Sequence, residues 1–408
     1  MERLKTLSVK VGDSLVIGGG APIVVQTMCN THTCDVDASV AQCLELAASG
    51  AQMIRLTVPG PADVEALARI KSSLRSRGCH TPLVADIHFS SQTALLAARV
   101  AEKVRINPGN FHPDHAKARS EFARLLEVCR ECGTAIRIGV NHGSLGAYIT
   151  ERFGNTPRAM AEAAMEWVRM CVEARFLNVV VSLKSSNTVV MVEAYRRLVE
   201  MMKEEGTVFP LHLGVTEAGG GESARIKSCV GIGALLQDGI GDTIRVSLTE
   251  PPVNEIPVAR YIASGCSGDR TLDAALKWGP ALLDRRVDEI PASELDDEHL
   301  RDEIMQAARR RFYKPEYIAC PGCGRTMYNL QEALEQVQKR TSHLKGMVIA
   351  VRGCIVNGPG EMADADWGYV GEGGGKVSIY RAGECVLRHV PDSEAIDRLL
   401  ELIEEAQG

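Results

Sequence analysis

The sequence predicts an α/β protein: an N-terminal (β/α)8 TIM-type barrel over residues 1–263, a linker with some helix over 264–312, and a smaller C-terminal α+β domain over 313–408. Three observations carry this reading. Eight short runs rich in β-branched residues recur along the first 260 residues, stretches of helical period separate them, and the rhythm stops where a charged, helix-prone segment begins. Strand followed by helix, eight times over, is the pattern of parallel βα units, and eight such units close a barrel. A doubly wound open sheet is the other architecture this rhythm allows, but the dinucleotide glycine fingerprint is missing after the first run.

The runs are PIVVQTM from Pro22, MIRLTVP from Met53, PLVADIH from Pro82, KVRINPG from Lys103, AIRIGVN from Ala135, LNVVVSLK from Leu177, PLHLGVT from Pro210 and TIRVSLT from Thr243. VAQCLELAASG, ADVEALARIKSSL, HAKARSEFARLLEVCREC and RAMAEAAMEWVRMCVEA supply helical period between them. Beyond Tyr313 the pattern reads as YIACPGCGR, a helix near 329–340, the strand KGMVIAVRG, a turn, the strand KVSIYRAG and a final helix around 393–406.

Composition narrows the function. The 408 residues are 45% hydrophobic, enough for a sizeable core. With 46 basic and 52 acidic side chains the net charge is −6, which argues against a dedicated nucleic-acid binder. No apolar run reaches membrane-spanning length, and MERLKTLSVKVGDSLVIGGG breaks its apolar runs before signal-peptide length, so a cytoplasmic protein is expected. Thirteen cysteines, odd in number and mostly scattered, fit buried free thiols plus one metal or cluster site better than a disulfide framework.

Four strands set an arginine between aliphatic neighbours: Arg55, Arg105, Arg137 and Arg245. Strand side chains alternate in direction, so with the aliphatic residues facing the helices the arginines face the barrel interior. Buried guanidiniums repel one another unless anions neutralise them. Two readings follow: a bound phosphate or diphosphate, or pairing with inward acids such as Asp86 and Glu217. Gln26, Asn30, Asp86, His88, Asn107, Asn141, Lys184, His212 and Glu217 lie at the carboxyl ends of the strands, where barrel enzymes place their chemistry. Lys227 follows at the start of a later helix.

The strongest local motif is Cys320-Pro-Gly-Cys323, joined downstream by Gly353-Cys354-Ile-Val-Asn-Gly-Pro-Gly-Glu361. Two thiolates spaced by two residues grip one centre, and Cys354 arrives as a third from the end of a strand. The turn NGPGE can return Glu361 as an oxygen ligand, which suits an iron–sulfur cluster with one reactive iron. Structural zinc, with a histidine such as His343 as the fourth ligand, is the alternative at this point. It would accompany a barrel phosphosugar lyase or aldolase.

With these residues in view, the chain resembles the 4-hydroxy-3-methylbut-2-enyl diphosphate synthases, iron–sulfur enzymes of the non-mevalonate isoprenoid pathway. The matching segments include VQTMCNTHTCDVDASV, VRINPGN, IRIGVNHGSL, PLHLGVTEAG, CPGCGR and GCIVNGPGE, in order from residue 22 to residue 381. The resemblance implies reductive opening of 2-C-methyl-D-erythritol 2,4-cyclodiphosphate and removal of a hydroxyl, with flavodoxin or ferredoxin as electron donor. It implies a 4Fe–4S cluster held by Cys320, Cys323, Cys354 and Glu361, with Glu361 displaced by substrate. Diphosphate-binding positions fall on Arg55, Arg105, Arg137, Asn141 and Lys227, with Asp86 and His88 beside them, and Glu255 matches a proposed proton donor. A homodimer is implied, the cluster domain of one chain capping the barrel of the other. The short interval between the two domains is that of the shorter bacterial members.

Overall fold

The computed structural model describes residues 2–323, 326, 328–354, 362 and 364–407. The chain opens with an antiparallel hairpin, β1 (Val9–Val11) and β2 (Leu15–Ile17). Eight βα units follow: β3 (Val24–Met28) and α1 (Val36–Ala48), β4 (Met53–Thr57) and α2 (Pro61–Ser76), β5 (Leu83–Asp86) and α3 (Ser91–Ala97), and β6 (Lys103–Ile106) and α4 (His115–Cys132). Next come β7 (Ala135–Asn141) with α5 (Ala147–Phe153) and α6 (Pro157–Glu173), β8 (Val179–Lys184) with α7 (Thr188–Glu204), β9 (His212–Leu213) with α8 (Gly221–Gln237), and β10 (Thr243–Ile244) with α9 (Glu255–Ser264).

The eight strands are parallel in the order β8-β7-β6-β5-β4-β3-β10-β9. A parallel bridge from Val181 to Leu211 joins the two ends, so the sheet closes. Helix starts follow side-chain chemistry: Asp35, Ser90, Asp114, Thr156 and Asn187 each accept a hydrogen bond from a first-turn amide that has no partner within the helix. Aliphatic residues on the outer strand faces meet the apolar stripes of these helices in one continuous core.

The amino-terminal hairpin, which the strand rhythm does not reveal, plugs one end of the barrel. Val9, Val11 and Ile17 pack on Val24, Met53, Val84, Ala135 and Val180, the lowest inward residues of the strands. At that end the barrel is a sealed apolar core.

The segment expected as a linker holds α10 (Arg270–Leu283) and α11 (Glu298–Ala307), and both belong to the barrel's core. Leu272, Trp278, Leu282 and Ile304 are buried there. Glycine makes the close crossing of α10 on α8 possible: a Cβ on Gly233 would sit 2.7 Å from Leu276, and one on Gly279 2.9 Å from the Val230 Cα.

Five strands form the C-terminal sheet in sequence order: β11 (Glu316–Ala319), β12 (Val348–Arg352), β13 (Trp367–Gly373), β14 (Lys376–Arg381) and β15 (Glu384–Pro391). β11, β12 and β13 are parallel, and the remaining pairs are antiparallel. Helices α12 (Leu330–Thr341) and α13 (Asp392–Gln407) cover one face through Leu334, Val337, Ile396 and Leu399. Strand β13 has no counterpart in the sequence reading, because WGYVGEG is glycine-rich and follows a turn-forming stretch.

Candidate active site between the barrel and the C-terminal domain

Four strands turn from apolar to polar in one inward step: Met53 to Arg55, Val84 to Asp86, Ala135 to Arg137, Val180 to Ser182. All four arginines singled out in the sequence are buried and inward, and all four line one cavity together with Asp86, His88, Asn141, Lys184 and Glu217. Cys320, Cys323, Cys354 and Arg352 of the C-terminal domain line the same cavity. Sequence-distant thiols and guanidiniums therefore face one space.

The arginines are held unequally. Arg105 donates to Asp86 Oδ1 at 3.1 Å and to the Gly139 carbonyl at 2.9 Å, and its Nη1 lies 3.2 Å from His88 Nε2. A guanidinium only donates, so His88 accepts through Nε2 and carries its proton on Nδ1, the side of Asp86. Gly139 is required there, since a Cβ would lie 2.5 Å from Arg105 Nε. Arg245 is gripped by Glu255 at 2.8 and 3.1 Å. Arg55 points Nε and Nη2 at the Met28 sulfur, 3.1 and 2.8 Å away. Arg137, 1% exposed, leaves Nε and Nη1 without any hydrogen-bond partner. Pairing with acids thus accounts for Arg105 and Arg245, whereas two buried nitrogens of Arg137 have no such partner. Glu217, offered as a possible partner, binds Arg352 instead at 2.7 Å.

Two buried lysines, Lys103 and Lys184, stand among the arginines. Lys103, fully buried under the arginines, donates to the Gln26 amide oxygen at 3.3 Å and to the Met53 sulfur at 3.2 Å. Burial, then the Arg137 and Arg55 guanidiniums, hold its ammonium well below the usual lysine range. Burial and four arginines, Arg137 foremost, do the same to Lys184. Gly214 clears room for Lys184, because a Cβ there would stand 2.9 Å from Nζ. Among the described cavity-lining side chains, five arginines and Lys184 stand with Asp86 and Glu217, and Glu255 lies behind Arg245. Such a space favours a compact dianion.

The seam between domains is built from polar contacts within one chain. Ala218 bridges to Ala319 in parallel, Thr249 Oγ1 donates to the Cys320 carbonyl at 3.2 Å, and Lys314 Nζ donates to Ser223 Oγ at 2.9 Å. The buried Arg352–Glu217 pair crosses the same seam. Glu217 sits at φ +54°, a conformation that costs a non-glycine residue about 1–2 kcal/mol. Within one chain the C-terminal domain lies over its own barrel.

Two expected site residues stand elsewhere. Lys227 does not reach the cavity: its Nζ pairs with Glu316 at 2.6 Å, Glu316 also takes Arg309, and this cluster lines a separate interdomain cavity. The cause is its place on the second turn of α8, beyond the barrel rim. The lysine that lines the arginine cavity is Lys184. Glu255 is buried behind Arg245, with Thr27 Oγ1 at 2.9 Å and the Leu248 amide at 3.3 Å on its other lone pairs, and it does not line the cavity. Glu361 lies outside the described residues.

The thiols suit an inorganic centre by their chemistry. Burial pushes the Cys320 thiol far above its ordinary value, against the Arg352 guanidinium, so a thiolate there needs a cation beside it. The Gly353 amide already points at Cys320 Sγ from 3.2 Å, the kind of donor that supports a ligating sulfur. Three cysteines face one space, and His343, the zinc alternative's fourth ligand, is exposed after α12. Among the described residues no three His, Cys, Asp or Glu side chains converge tightly enough for a single metal ion. Nor is any described helix long and apolar enough to cross a membrane.

Lys103 was open to the same reasoning that found Arg105, being two residues earlier on the same strand face. Arg352 gave no such signal, since only the seam reveals that it crosses to Glu217.

Fold and cavity together define a barrel enzyme with a cationic interior closed by a thiol-bearing domain. Comparison with known proteins agrees: residues 6–260 match the GcpE TIM-barrel domain and residues 316–405 the GcpE protein C-terminal domain. The chain is 43% identical over 423 residues to the 4-hydroxy-3-methylbut-2-en-1-yl diphosphate synthase (ferredoxin) of Parasynechococcus marenigrum strain WH8102, covering 99% of this chain and 95% of that one. To the corresponding enzyme (ferredoxin) of Gloeothece citriformis strain PCC 7424 it is 44% identical over 421 residues, covering 99% and 93%. To the enzyme (flavodoxin) of Bacteroides fragilis strain YCH46 it is 36% identical over 598 residues, covering 98% and 95%. The chain belongs to the GcpE family.

Proposed function

We propose that this chain converts 2-C-methyl-D-erythritol 2,4-cyclodiphosphate to (E)-4-hydroxy-3-methylbut-2-enyl diphosphate, an oxidoreductase step of non-mevalonate isoprenoid biosynthesis carried out in the cytoplasm. Family membership and the relatives' names support the reaction. The observation that carries it is the one cavity lined by Arg55, Arg105, Arg137 and Arg245 from the barrel and by Cys320, Cys323 and Cys354 from the C-terminal domain. The zinc-tailed aldolase loses its ground, as the relatives named above are all diphosphate synthases.

Arg55, Arg105, Arg137, Asn141 and Lys184 bind the diphosphate, each charge-assisted hydrogen bond contributing about 1.5–3 kcal/mol. Asp86 and His88 orient Arg105. Glu255 orients Arg245. Cys320, Cys323 and Cys354, with Glu361, hold a 4Fe–4S cluster. When bound, that cluster supplies two electrons one at a time, taken from flavodoxin or ferredoxin, as the substrate hydroxyl leaves as water. The closed seam excludes bulk water from the reduced substrate. In a homodimer the same complementary surfaces, Glu217 facing Arg352 and Thr249 facing Cys320, are exchanged between two copies.

Protein purified without air should carry iron and sulfide and be brown. It should consume the cyclic diphosphate with an artificial one-electron donor. In Cys354→Ala, iron and turnover should be lost while the barrel stays folded. Colourless protein with stoichiometric zinc would overturn the reading.

A further inference from the structure

The reaction proposed above turns a substrate hydroxyl into water, and so consumes a proton inside the cavity. Glu255, the donor implied by family resemblance, is buried behind Arg245 and does not line that cavity. Among the described lining residues, the carboxylates of Asp86 and Glu217 are held in ion pairs with Arg105 and Arg352. His88 accepts from Arg105 through Nε2 and turns its own proton toward Asp86. An arginine does not release its proton in a protein, and the cysteines belong to the cluster. Lys184 carries a proton that it can both give up and regain.

Its position suits that role. Lys184 ends β8 in register with Asn141 of β7, is buried, and lines the cavity that holds the arginines and the three cysteines. Burial, and after it Arg137 of β7, Arg55 of β4, Arg245 just past β10 and Arg105 of β6, hold its ammonium well below the usual lysine range. His212 on the neighbouring strand β9 is fully buried, and burial, then Arg137 and Lys184, keep it neutral. A dianion set among the guanidiniums cancels their repulsion of the ammonium, so the lysine gains its proton as the substrate arrives.

Resting on the reaction proposed above, we propose that Lys184 is its general acid, delivering from Nζ the proton that makes the departing hydroxyl water. Two carbon–oxygen bonds break with their electron pairs going to oxygen, one pair to the diphosphate and one to the hydroxyl. The two electrons from the donor protein form the carbon–carbon double bond. Nζ is left a neutral amine until the next dianion recharges it. An arginine in its place binds the diphosphate and performs no such transfer.

The test uses full-length holoenzyme carrying Lys184→Arg, which keeps the charge without a transferable proton, and Lys184→Gln, which adds no bulk. Oxidised protein is titrated with the cyclic diphosphate in two buffers of different ionisation enthalpy. The parent should take up as much as about one proton more than either variant. Affinity should stay close to parental in Lys184→Arg and fall about tenfold in Lys184→Gln. At saturating substrate kcat should drop about 10²–10⁴-fold in both. Parental kcat should decline as pH rises past the value of the lysine in the complex, and the variants' remaining activity should lack that alkaline limb. Near-parental kcat in Lys184→Arg would overturn the proposal and leave Lys184 a binding residue only, as would proton uptake equal in parent and variants. A parent that binds the cyclic diphosphate without reducing it would defeat the reaction instead, and its proton uptake would still show whether Lys184 is recharged.

Discussion

The two ends of the barrel are made from the same eight strands and have opposite chemistry. At the amino-terminal end Val24, Met53, Val84, Ala135 and Val180 close on an apolar hairpin. One inward step higher stand Arg55, Asp86 and Arg137, and Lys103 lies buried beneath them. The apolar layer gains free energy from burial, and the layer above spends part of it holding like charges together out of water. Stability and function are thus stacked along single strands, and substitutions at neighbouring inward positions should have opposite consequences.

The sharpest contrast is between the plug and the arginines. Ile17→Ala, in the plug, should lower stability by about 2–5 kcal/mol in denaturant unfolding, while kcat per folded molecule is unchanged. Lost activity in folded Ile17→Ala would show that the two layers are coupled. Arg137→Met should do the reverse. Substrate affinity by calorimetry falls about 10- to 100-fold, and Tm without substrate rises, since a partnerless buried charge is gone. A lowered Tm would mean that Arg137 is neutralised within the protein.

Glu255→Gln separates positioning from proton transfer. A residue that only holds Arg245 should raise KM more than it lowers kcat, and the pH profile of kcat should keep its shape. Loss of one limb of that profile would restore the role implied by family resemblance. The smallest effect concerns Lys103. Its native pKa is depressed, so between that value and the ordinary lysine value the unfolded chain holds a proton that the native state lacks. Stability therefore rises with pH across that window and levels off above it. Lys103→Met should be more stable at neutral pH and show a slope shallower by up to one proton. An unchanged slope would place the penalty elsewhere, on Lys184 first.

Period-two and helical patterning made the barrel legible, because eight strands alternating with helices leave a regular trace and the arginines interrupt it on one face only. The hairpin was not legible: its three-residue strands are too short to show alternation. The helices of 264–312 were readable as helices but not as core, since the glycines that admit α10 onto α8 act through a crossing between distant segments. At the site, inward direction followed from local alternation. Lys227 and Glu255 did not yield to it, because each owes its partner to tertiary contact, with Glu316 and Arg245. The cysteine motif was legible from spacing, whereas its placement over the chain's own arginines depends on a seam that no short-range pattern encodes.

The hairpin also fixes the direction of traffic. With one end of the barrel stoppered by Val9, Val11 and Ile17, every molecule that enters or leaves must pass the end roofed by the thiol domain. The Arg352–Glu217 and Thr249–Cys320 contacts tie that roof to the barrel rim, so the cationic layer is met from the roofed end alone of the barrel's two ends.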